Sequence, residues 1–224
     1  MIAAKAKELG SPAYKVIQAG AKVLGNNKDG IDFSLEDDYY GDTRFHIPFI
    51  AWYQVMNASL ALTTMEVLKD RIPVTMEQLQ AGIANTRWQG RMETILPGVI
   101  VDGAHNEDGV RRFVETAERF QKEYPLTLLF SAVNDKDYQD MIHTICSRIK
   151  FRKVVTTEVG GYREVPSAEL AEIFCKEGCK DVGNSDNIEE AFHMAHEAKG
   201  EDGMLFCVGS LYLVGEIKTL LLKK

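Results

Sequence analysis

A carboxylate, a flexible glycine and an imidazole directly follow an apolar run, an order that suits ligand binding or proton transfer. The segment is Asp102–Asn106, after the run Val99–Val101 and before a stretch of helical character that begins at Glu107. Open α/β sheets bind their ligands at strand exits of this kind. Helix capping alone also explains an Asp and an Asn at a helix start, so the rest of the sequence has to decide between the two readings.

Four further polar residues have side chains that suit an anionic ligand, although an Arg such as Arg91 taken alone is most simply a surface residue. Arg91 offers a permanently charged planar fork that matches phosphate oxygens. Ser210 follows an apolar run, where a strand-to-helix turn would present a hydroxyl and backbone N–H groups to a carboxylate. Lys136, in the turn-like segment Asn134–Asp137, could reach a carboxylate or a phosphate. Asn57 lies in an apolar helix and could contact a ligand or satisfy a neighbouring backbone group.

Alternating apolar runs and amphipathic stretches must position these residues. This alternation predicts βαβ units, and hence an α/β fold with a Rossmann-like, mostly parallel sheet flanked by helices. The predicted strands are Val99–Val101, Leu126–Phe130, Lys153–Thr157 and Met204–Val208. The predicted helices run from Glu107 to about Lys122, Asp137 to about Lys150, Ser167 to about Lys176, Asn187 to about Ala198, and Leu211 to the C-terminus.

Residues 1–84 have a different pattern from residues 85–224, which predicts two domains. The break falls where Asn85–Gly90 interrupts the helical period. In the first part we expect a helix near Ser11–Leu24, strands around Ile31–Leu35 and Thr43–Phe49, and helices at Tyr53–Leu68 and Thr75–Ile83. These strands are too few for a sheet with both edges protected, so residues 1–84 are predicted to be an incomplete α/β remnant of a larger domain.

The composition limits the classes of partner. The chain has 224 residues, 45% of them hydrophobic, and a formal net charge of −7. A negative chain lacks the broad positive potential that nucleic acids and anionic membranes require, so neither partner is predicted. There is no 18-residue apolar span and no signal-peptide pattern, from which we expect a cytoplasmic protein.

The four cysteines are predicted to be reduced thiols, because they lack paired spacing. Cys175 and Cys179 together with His193 and His196 would form a zinc site only if two separate helix faces converged. We therefore expect packing and solvent exposure for these side chains, and no metal site.

Four motifs in order resemble those of one enzyme family: Trp88–Glu93, Asp102–Asn106, Asn134–Asp137 and Gly209–Glu216. They are similar to the folylpolyglutamate synthase and dihydrofolate synthase branch of the Mur ligase superfamily. Upstream, Gln54–Leu62 resembles a helix of that family's central ATPase domain. The resemblance implies that residues 1–84 are the C-terminal remnant of this ATPase domain and that residues 85–224 are the glutamate-ligase domain.

The resemblance also implies a reaction and a set of roles. In the family, ATP phosphorylates a folate carboxylate, and the amino group of glutamate attacks the acyl phosphate. By this likeness Asn57, Arg91 and Asp102 would contact ATP, while His105, Ser210 and Lys136 would bind glutamate. His105 and Asp102 would be the catalytic residues. The implied partners are folate or dihydropteroate, L-glutamate and ATP with Mg²⁺. The enzyme itself would be a monomer at full length.

Two departures from the family qualify this expectation. The chain has no G-x-x-x-x-G-K-S/T phosphate loop: Gly20–Gly25 has the glycine spacing, but Asn26 and Asn27 follow, and we expect this segment to end a helix. Tyr53 stands where the family usually has a His before Gln54. We therefore predict a C-terminal fragment of the ligase that is inactive alone, with its metal ligands in an N-terminal ATPase region outside this chain.

Two other functions stay open at this point. The first is a non-catalytic module that binds glutamate or a nucleotide, and the second is another Mur-type amino-acid ligase. The sequence also leaves open whether the activity is that of a dihydrofolate synthase, a folylpolyglutamate synthase or both.

Overall fold

Two compact units make up the chain in the computed structural model, which describes residues 1–17, 20–27, 30–161 and 163–222. The units are Met1–Arg87 and Trp88–Lys224. The second unit thus begins three residues after the predicted start at residue 85. No helix of the described residues is long and apolar enough to cross a membrane.

The first unit is built on a small antiparallel sheet. Its strands follow the order β1 (Ala21–Asn27), β2 (Gly30–Leu35) and β3 (Phe45–Ile47). Its helices are α1 (Ile2–Glu8), α2 (Tyr53–Val67) and α3 (Met76–Ala84). One face of the sheet supplies buried side chains such as Phe33 and Phe45, and α2 and α3 cover them with Val55, Leu62 and Leu79.

The helix expected near Ser11–Leu24 is wrong. Residues 11–17 have no regular secondary structure, residues 18 and 19 lie outside the described residues, and Ala21–Asn27 is strand β1. The backbone of β1 pairs with β2 from Ala21 opposite Leu35 to Asn27 opposite Gly30. Gly20 and Gly25 disfavour a helix here, and the ladder with β2 satisfies the backbone groups instead. The expectation that Gly20–Gly25 ends a helix is therefore also wrong.

The second unit confirms the predicted α/β class with its mostly parallel six-stranded sheet. The strands, in sheet order, are β4 (Glu93–Leu96), β5 (Val99–Asp102), β9 (Met204–Val208), β6 (Leu126–Phe130), β7 (Phe151–Thr156) and β8 (Val182–Asn184). Within this sheet, as far as the structure describes it, only β4 runs antiparallel to its neighbour. The helices are α4 (Glu107–Phe120), α5 (Tyr138–Arg148), α6 (Ser167–Lys176), α7 (Ile188–Lys199) and α8 (Leu211–Leu222).

Helices cover both faces of this sheet, which explains why its central strands are continuous apolar runs. On one face, α7 and α8 pack on side chains that include Val101, Leu129 and Cys207. On the other face, Phe113 of α4 packs edge-on against Phe206 with ring centroids 5.5 Å apart. Every residue of β5, β6 and β9 is buried as a result. The rigid sheet fixes where each strand ends, and so where the polar residues after it begin.

Candidate functional site

The carboxyl ends of the central strands form the candidate site. Asp102, the last residue of β5, pairs with Val208 of β9, which in turn pairs with Phe130 at the end of β6. Because these strands are parallel and in register, the segments that follow them leave the sheet at one edge. Three of the four family-like motifs therefore lie at the same edge of the second unit.

Asp102 is a buried carboxylate whose two oxygens both accept backbone hydrogen bonds. Its Oδ2 accepts from the N–H of Met92, and its Oδ1 accepts from the N–H of Ala104, both at 2.8 Å. The side chain is only 3% exposed. Burial raises the pKa of Asp102 to about 6, although the two hydrogen bonds and the nearby Arg91 and His105 oppose that rise. The buried carboxylate is thus hydrogen-bonded to two turns, the one that contains Met92 and the one that contains Ala104.

The turn that carries Arg91 is fixed on both sides of this residue. Gly90 donates its N–H to Oε2 of Glu93 at 2.7 Å, and its carbonyl accepts from the N–H of Gly103 at 2.7 Å. On the other side, Met92 is held by Asp102 and has a φ of 46°, a left-handed conformation that among the described non-glycine residues is unique to it. The Arg91 guanidinium itself has no hydrogen-bond or ion-pair partner among the described residues. It is therefore a positioned cation that is free to bind an anion.

An ion pair with a residue of helix α8, far away in sequence, supports this turn. Lys218 Nζ lies 2.7 Å from Oε1 and 3.0 Å from Oε2 of Glu93, the same carboxylate that accepts from Gly90. Sequence reasoning missed both roles. Glu93 is the last residue of the motif Trp88–Glu93, but the sequence assigned it no function. Lys218 is 125 residues away, so no local spacing signals the pair.

His105 is oriented by the backbone of its own loop. Its Nδ1 lies 2.7 Å from the carbonyl oxygen of Gly103. Since a carbonyl can only accept, Nδ1 carries the proton, and Nε2 is the nitrogen left for other partners. In the neutral ring Nε2 accepts a hydrogen bond, and in the imidazolium it donates one. The side chain is half-buried, so Nε2 can serve a ligand at the sheet edge.

Ser210 follows β9 in a turn that requires glycine. Gly209 has a φ of +111°, and a Cβ there would lie 2.1 Å from the carbonyl oxygen of Ser131. Ser210 is buried, and its Oγ accepts from the N–H of Tyr212 at 3.1 Å in the first turn of α8. The hydroxyl hydrogen remains available as a donor toward the sheet edge.

Lys136 lies in the loop after β6 and is exposed. Its side chain has no ion-pair or hydrogen-bond partner among the described residues. The loop is anchored by its neighbour: Asp135 pairs with Arg163 at 3.1 Å, and Arg163 also donates to the hydroxyl of Tyr212 at 3.0 Å. These contacts join the loops after β6 and β7 to the start of α8. Lys136 is thus an uncommitted cation on an anchored loop.

Asn57 belongs to the first unit. It is exposed on α2, and its amide donates to Oε1 of Gln54 at 2.8 Å. Of the predicted site residues, Arg91, Asp102, His105, Lys136 and Ser210 all belong to the second unit.

The helix caps that the sequence indicated are present at this edge. Asn106 accepts from the N–H of Gly109 at 2.8 Å and so begins α4, with Glu107 and Asp108 in the first turn. Capping therefore accounts for Asn106 itself. It leaves unexplained the buried Asp102 and the oriented His105, which precede the helix.

Two of the four zinc ligands considered from the sequence have other contacts. Cys179 Sγ lies 3.6 Å from Cys146 Sγ, and the ring of His196 stacks on that of Phe192 at 5.8 Å. Among the described residues no group of three or more His, Cys, Asp or Glu side chains could hold a metal ion.

An open, mostly parallel sheet with helices on both faces and polar groups gathered at its carboxyl edge defines a ligand-binding α/β domain. The chain belongs to the Mur ligase family. The family profile described as "Mur ligase, glutamate ligase domain" matches residues 90–211, which contain the sheet edge and all five second-unit site residues.

The relatives place the chain beside one branch of this family. It is 30% identical over 194 residues to the dihydrofolate synthase/folylpolyglutamate synthase of Bacillus subtilis, an alignment that covers 83% of this chain and 43% of that protein. The fold matches a Mycobacterium tuberculosis folylpolyglutamate synthase complexed with ADP and AMPPCP (TM-score 0.77, 22% identity, 98% of this chain and 51% of that one). It also matches the Thermotoga maritima folylpolyglutamate synthase (TM-score 0.76, 24% identity, 99% and 51%). The chain therefore spans about half the length of these relatives.

Proposed function

We propose that this chain supplies the glutamate-ligase part of an ATP-dependent enzyme that adds glutamate to a folate-type carboxylate. The observation that carries the proposal is the convergence of Arg91, His105 and Ser210 on one sheet edge, with Asp102 bonded to the turns of the first two. The name of the Bacillus subtilis relative supports the folate substrate and the glutamate addition. ATP is supported by the nucleotides bound to the Mycobacterium tuberculosis structure.

In this proposal the cations of the site bind the anionic parts of the substrates. Arg91 binds phosphate oxygens of ATP, because its backbone is held and its guanidinium is uncommitted. Lys136 binds a carboxylate of glutamate, and the Ser210 hydroxyl donates a hydrogen bond to the same amino acid. The family resemblance further assigns Asn57 to ATP binding. Asp102 belongs to the ATP site chiefly by holding the Arg91 turn, since both of its oxygens already accept backbone N–H groups.

The proposed chemistry is amide formation through an acyl phosphate. The γ-phosphoryl group of ATP passes to the folate carboxylate and releases ADP. The glutamate nitrogen then attacks the acyl carbon, the C–O bond to phosphate breaks, and the nitrogen gives up a proton. In the proposal His105 accepts this proton on Nε2, which is supported by the commitment of Nδ1 to Gly103.

The positioning that phosphoryl transfer requires is not supplied by these 224 residues. They contain no G-x-x-x-x-G-K-S/T phosphate loop, and the family resemblance implies magnesium ligands outside this chain. Catalysis of phosphoryl transfer depends on both elements. The proposal therefore assigns magnesium and triphosphate binding to a partner region, and no measurable ligation to residues 1–224 alone. The same proposal places a monomeric enzyme in the cytoplasm, consistent with four free cysteines.

A chimaera tests the proposal. Residues 1–224 would replace the matching part of the Bacillus subtilis relative, and purified protein would be assayed for ATP-dependent glutamate addition to dihydropteroate and to a reduced folate. We expect turnover by the chimaera and none by residues 1–224 alone. A folded chimaera that binds ATP but adds no glutamate to either acceptor would overturn the proposal. Turnover by residues 1–224 alone would overturn the assignment of phosphoryl transfer to a partner region.

A further inference from the structure

Cys146 and Cys179 form a close pair of thiols away from the sheet edge. Their Sγ atoms are 3.6 Å apart, although the residues are separated by 33 positions in sequence. Both side chains are partly exposed, whereas Cys207 is buried and Cys175 is exposed on the outside of α6. The pair joins α5 to the turn that follows α6, two elements with no covalent link nearby.

Regular structure holds both cysteines in place. Cys146 lies in the last turn of α5, beside the buried Ile145. Cys179 follows the left-handed Gly178, and its N–H donates to the carbonyl of Phe174 at 3.1 Å in the turn that ends α6. Beside the thiols, His143 Nδ1 lies 2.9 Å from Oε2 of Glu177, a hydrogen bond across the same two elements. The approach of the sulfurs is thus a property of the packed helices.

We propose that Cys146 and Cys179 are a modification site, at which a small disulfide such as oxidised glutathione converts the two thiols into an intramolecular disulfide. A disulfide needs sulfurs about 2.0 Å apart, so side-chain rotation has to close only the remaining gap. The modification is separate from the proposed ligase chemistry and uses none of its residues.

The two thiols have different parts in this exchange. The S–H of Cys146 can donate to the Cys179 sulfur, and this hydrogen bond lowers the pKa of the Cys179 thiol against the opposing effects of burial and of Glu177. The same contact, with burial, raises the pKa of Cys146. Cys179 is the attacking thiol in this proposal, because the thiolate is the attacking species.

Two successive thiol–disulfide exchanges would form the bond. The Cys179 thiolate attacks one sulfur of the small disulfide, forms a mixed disulfide and releases one thiolate. Cys146 then attacks Sγ of Cys179, a second thiolate leaves, and the protons of the two cysteines pass to the two released thiolates. The protein loses two protons and two electrons, and one disulfide is reduced to two thiols.

Alkylation and mass spectrometry test this site in the full chain. Folded protein would be treated with oxidised glutathione, quenched in acid, alkylated with N-ethylmaleimide and digested. We expect two of the four thiols to be lost to alkylation, with Cys146 and Cys179 in one cross-linked peptide, and dithiothreitol to restore all four. Cys175→Ser is the matched control, and it should leave the cross-link unchanged.

Two variants separate the roles of the sulfurs. Cys146→Ser should trap Cys179 as a stable adduct with one glutathione, and Cys179→Ser should leave Cys146 alkylatable. Four alkylatable thiols in the treated wild type would overturn the proposal. A cross-link that joins Cys175 to Cys179 would overturn it as well. The proposal would also fail if cross-links formed only after unfolding in urea and then joined all cysteine pairs equally.

Discussion

The backbone N–H of Met92 donates to Oδ2 of Asp102 at 2.8 Å, and this bond restrains a residue in a left-handed conformation. Such a backbone costs about 1–3 kcal/mol and persists only when its surroundings enforce it. Here the enforcement comes from a buried carboxylate at the end of β5. The conformation of the turn that carries Arg91 thus depends on Asp102, even though the two side chains have separate parts in the proposed reaction.

Asp102→Asn should change how stability depends on pH. In the folded protein burial raises the pKa of Asp102 from 3.8 to about 6, so the folded state binds this proton more tightly than the unfolded chain does. Raising the pH through that window should therefore lower the free energy of unfolding, by at most about 3 kcal/mol. The amide cannot ionise, so this part of the pH dependence should disappear in Asp102→Asn. Urea unfolding at several pH values measures it.

The amide should also lower stability throughout, because its NH₂ group would face one of the two backbone donors. An unsatisfied buried N–H costs about 1–3 kcal/mol. Asp108→Asn, which removes an exposed acid from the first turn of α4, is the control. In a Trp52→Phe background the fluorescence of Trp88 follows the second unit. Parallel pH profiles for wild type and Asp102→Asn would contradict the raised pKa.

Glu93→Gln and Lys218→Met should each loosen the Arg91 turn. In the active chimaera we expect a higher KM for ATP and a smaller change in kcat, because the turn positions a binding cation and not the reacting atoms. The stability cost should be about 1 kcal/mol for either variant, since both side chains are partly exposed. The two changes share one interaction, so the double variant should cost less than their sum.

A reversed pair separates the ion pair from the turn. Glu93→Lys with Lys218→Glu restores opposite charges but leaves the Gly90 N–H without its carboxylate acceptor. We therefore expect no rescue of the KM for ATP. A full rescue would show that only the charge pair matters and that the bond to Gly90 does not.

Gly209→Ala should damage the turn that presents Ser210. The new Cβ would meet the Ser131 carbonyl oxygen at 2.1 Å, and its φ of +111° disfavours any side chain. A destabilisation of at least about 2 kcal/mol follows from the strain and overlap combined. Gly215→Ala in α8 is the matched control, because nothing lies within 4 Å of its Cβ. It should raise stability by about 0.5–1 kcal/mol, and thermal unfolding compares the two.

His105→Asn should separate the orientation of this side chain from its chemistry. The Asn amide can still donate to the Gly103 carbonyl but has no counterpart of Nε2. We expect kcat of the chimaera to fall about 100-fold or more while the KM for ATP stays unchanged. His193→Gln on α7 is an exposed control that should leave both constants unchanged. A kcat within about twofold of wild type would remove His105 from the proposed proton transfer.

The central strands were predictable because burial on both faces makes them uninterrupted apolar runs. Leu126–Phe130 and Met204–Val208 have the bounds expected from the sequence. The strands that were missed lack such runs. Val182–Asn184 is a short edge strand, and Ala21–Asn27 is held by its pairing with β2 and not by its own composition. Pairing between distant segments overrides local preference in such strands.

The site residues could be proposed from their motifs, but the interactions that hold them could not. Asp102 precedes a capped helix, and its order with His105 is visible in the sequence. Its bond to Met92, ten residues earlier, depends on β4 and β5 forming an antiparallel pair. The Lys218 contact with Glu93 depends on α8 packing on the same sheet, which no local spacing indicates.

The order of the strands has a consequence for biosynthesis. β9 is the last strand of the described chain, yet it lies between β5 and β6, which end about a hundred and about seventy residues before β9 begins. Until Val208 has left the ribosome, β5 and β6 each lack their shared neighbour and expose unpaired backbone groups. The nascent second unit therefore stays open to aggregation or to chaperones until almost its whole length is made. The edge that carries Asp102 and Ser210 forms only after β9 has been made.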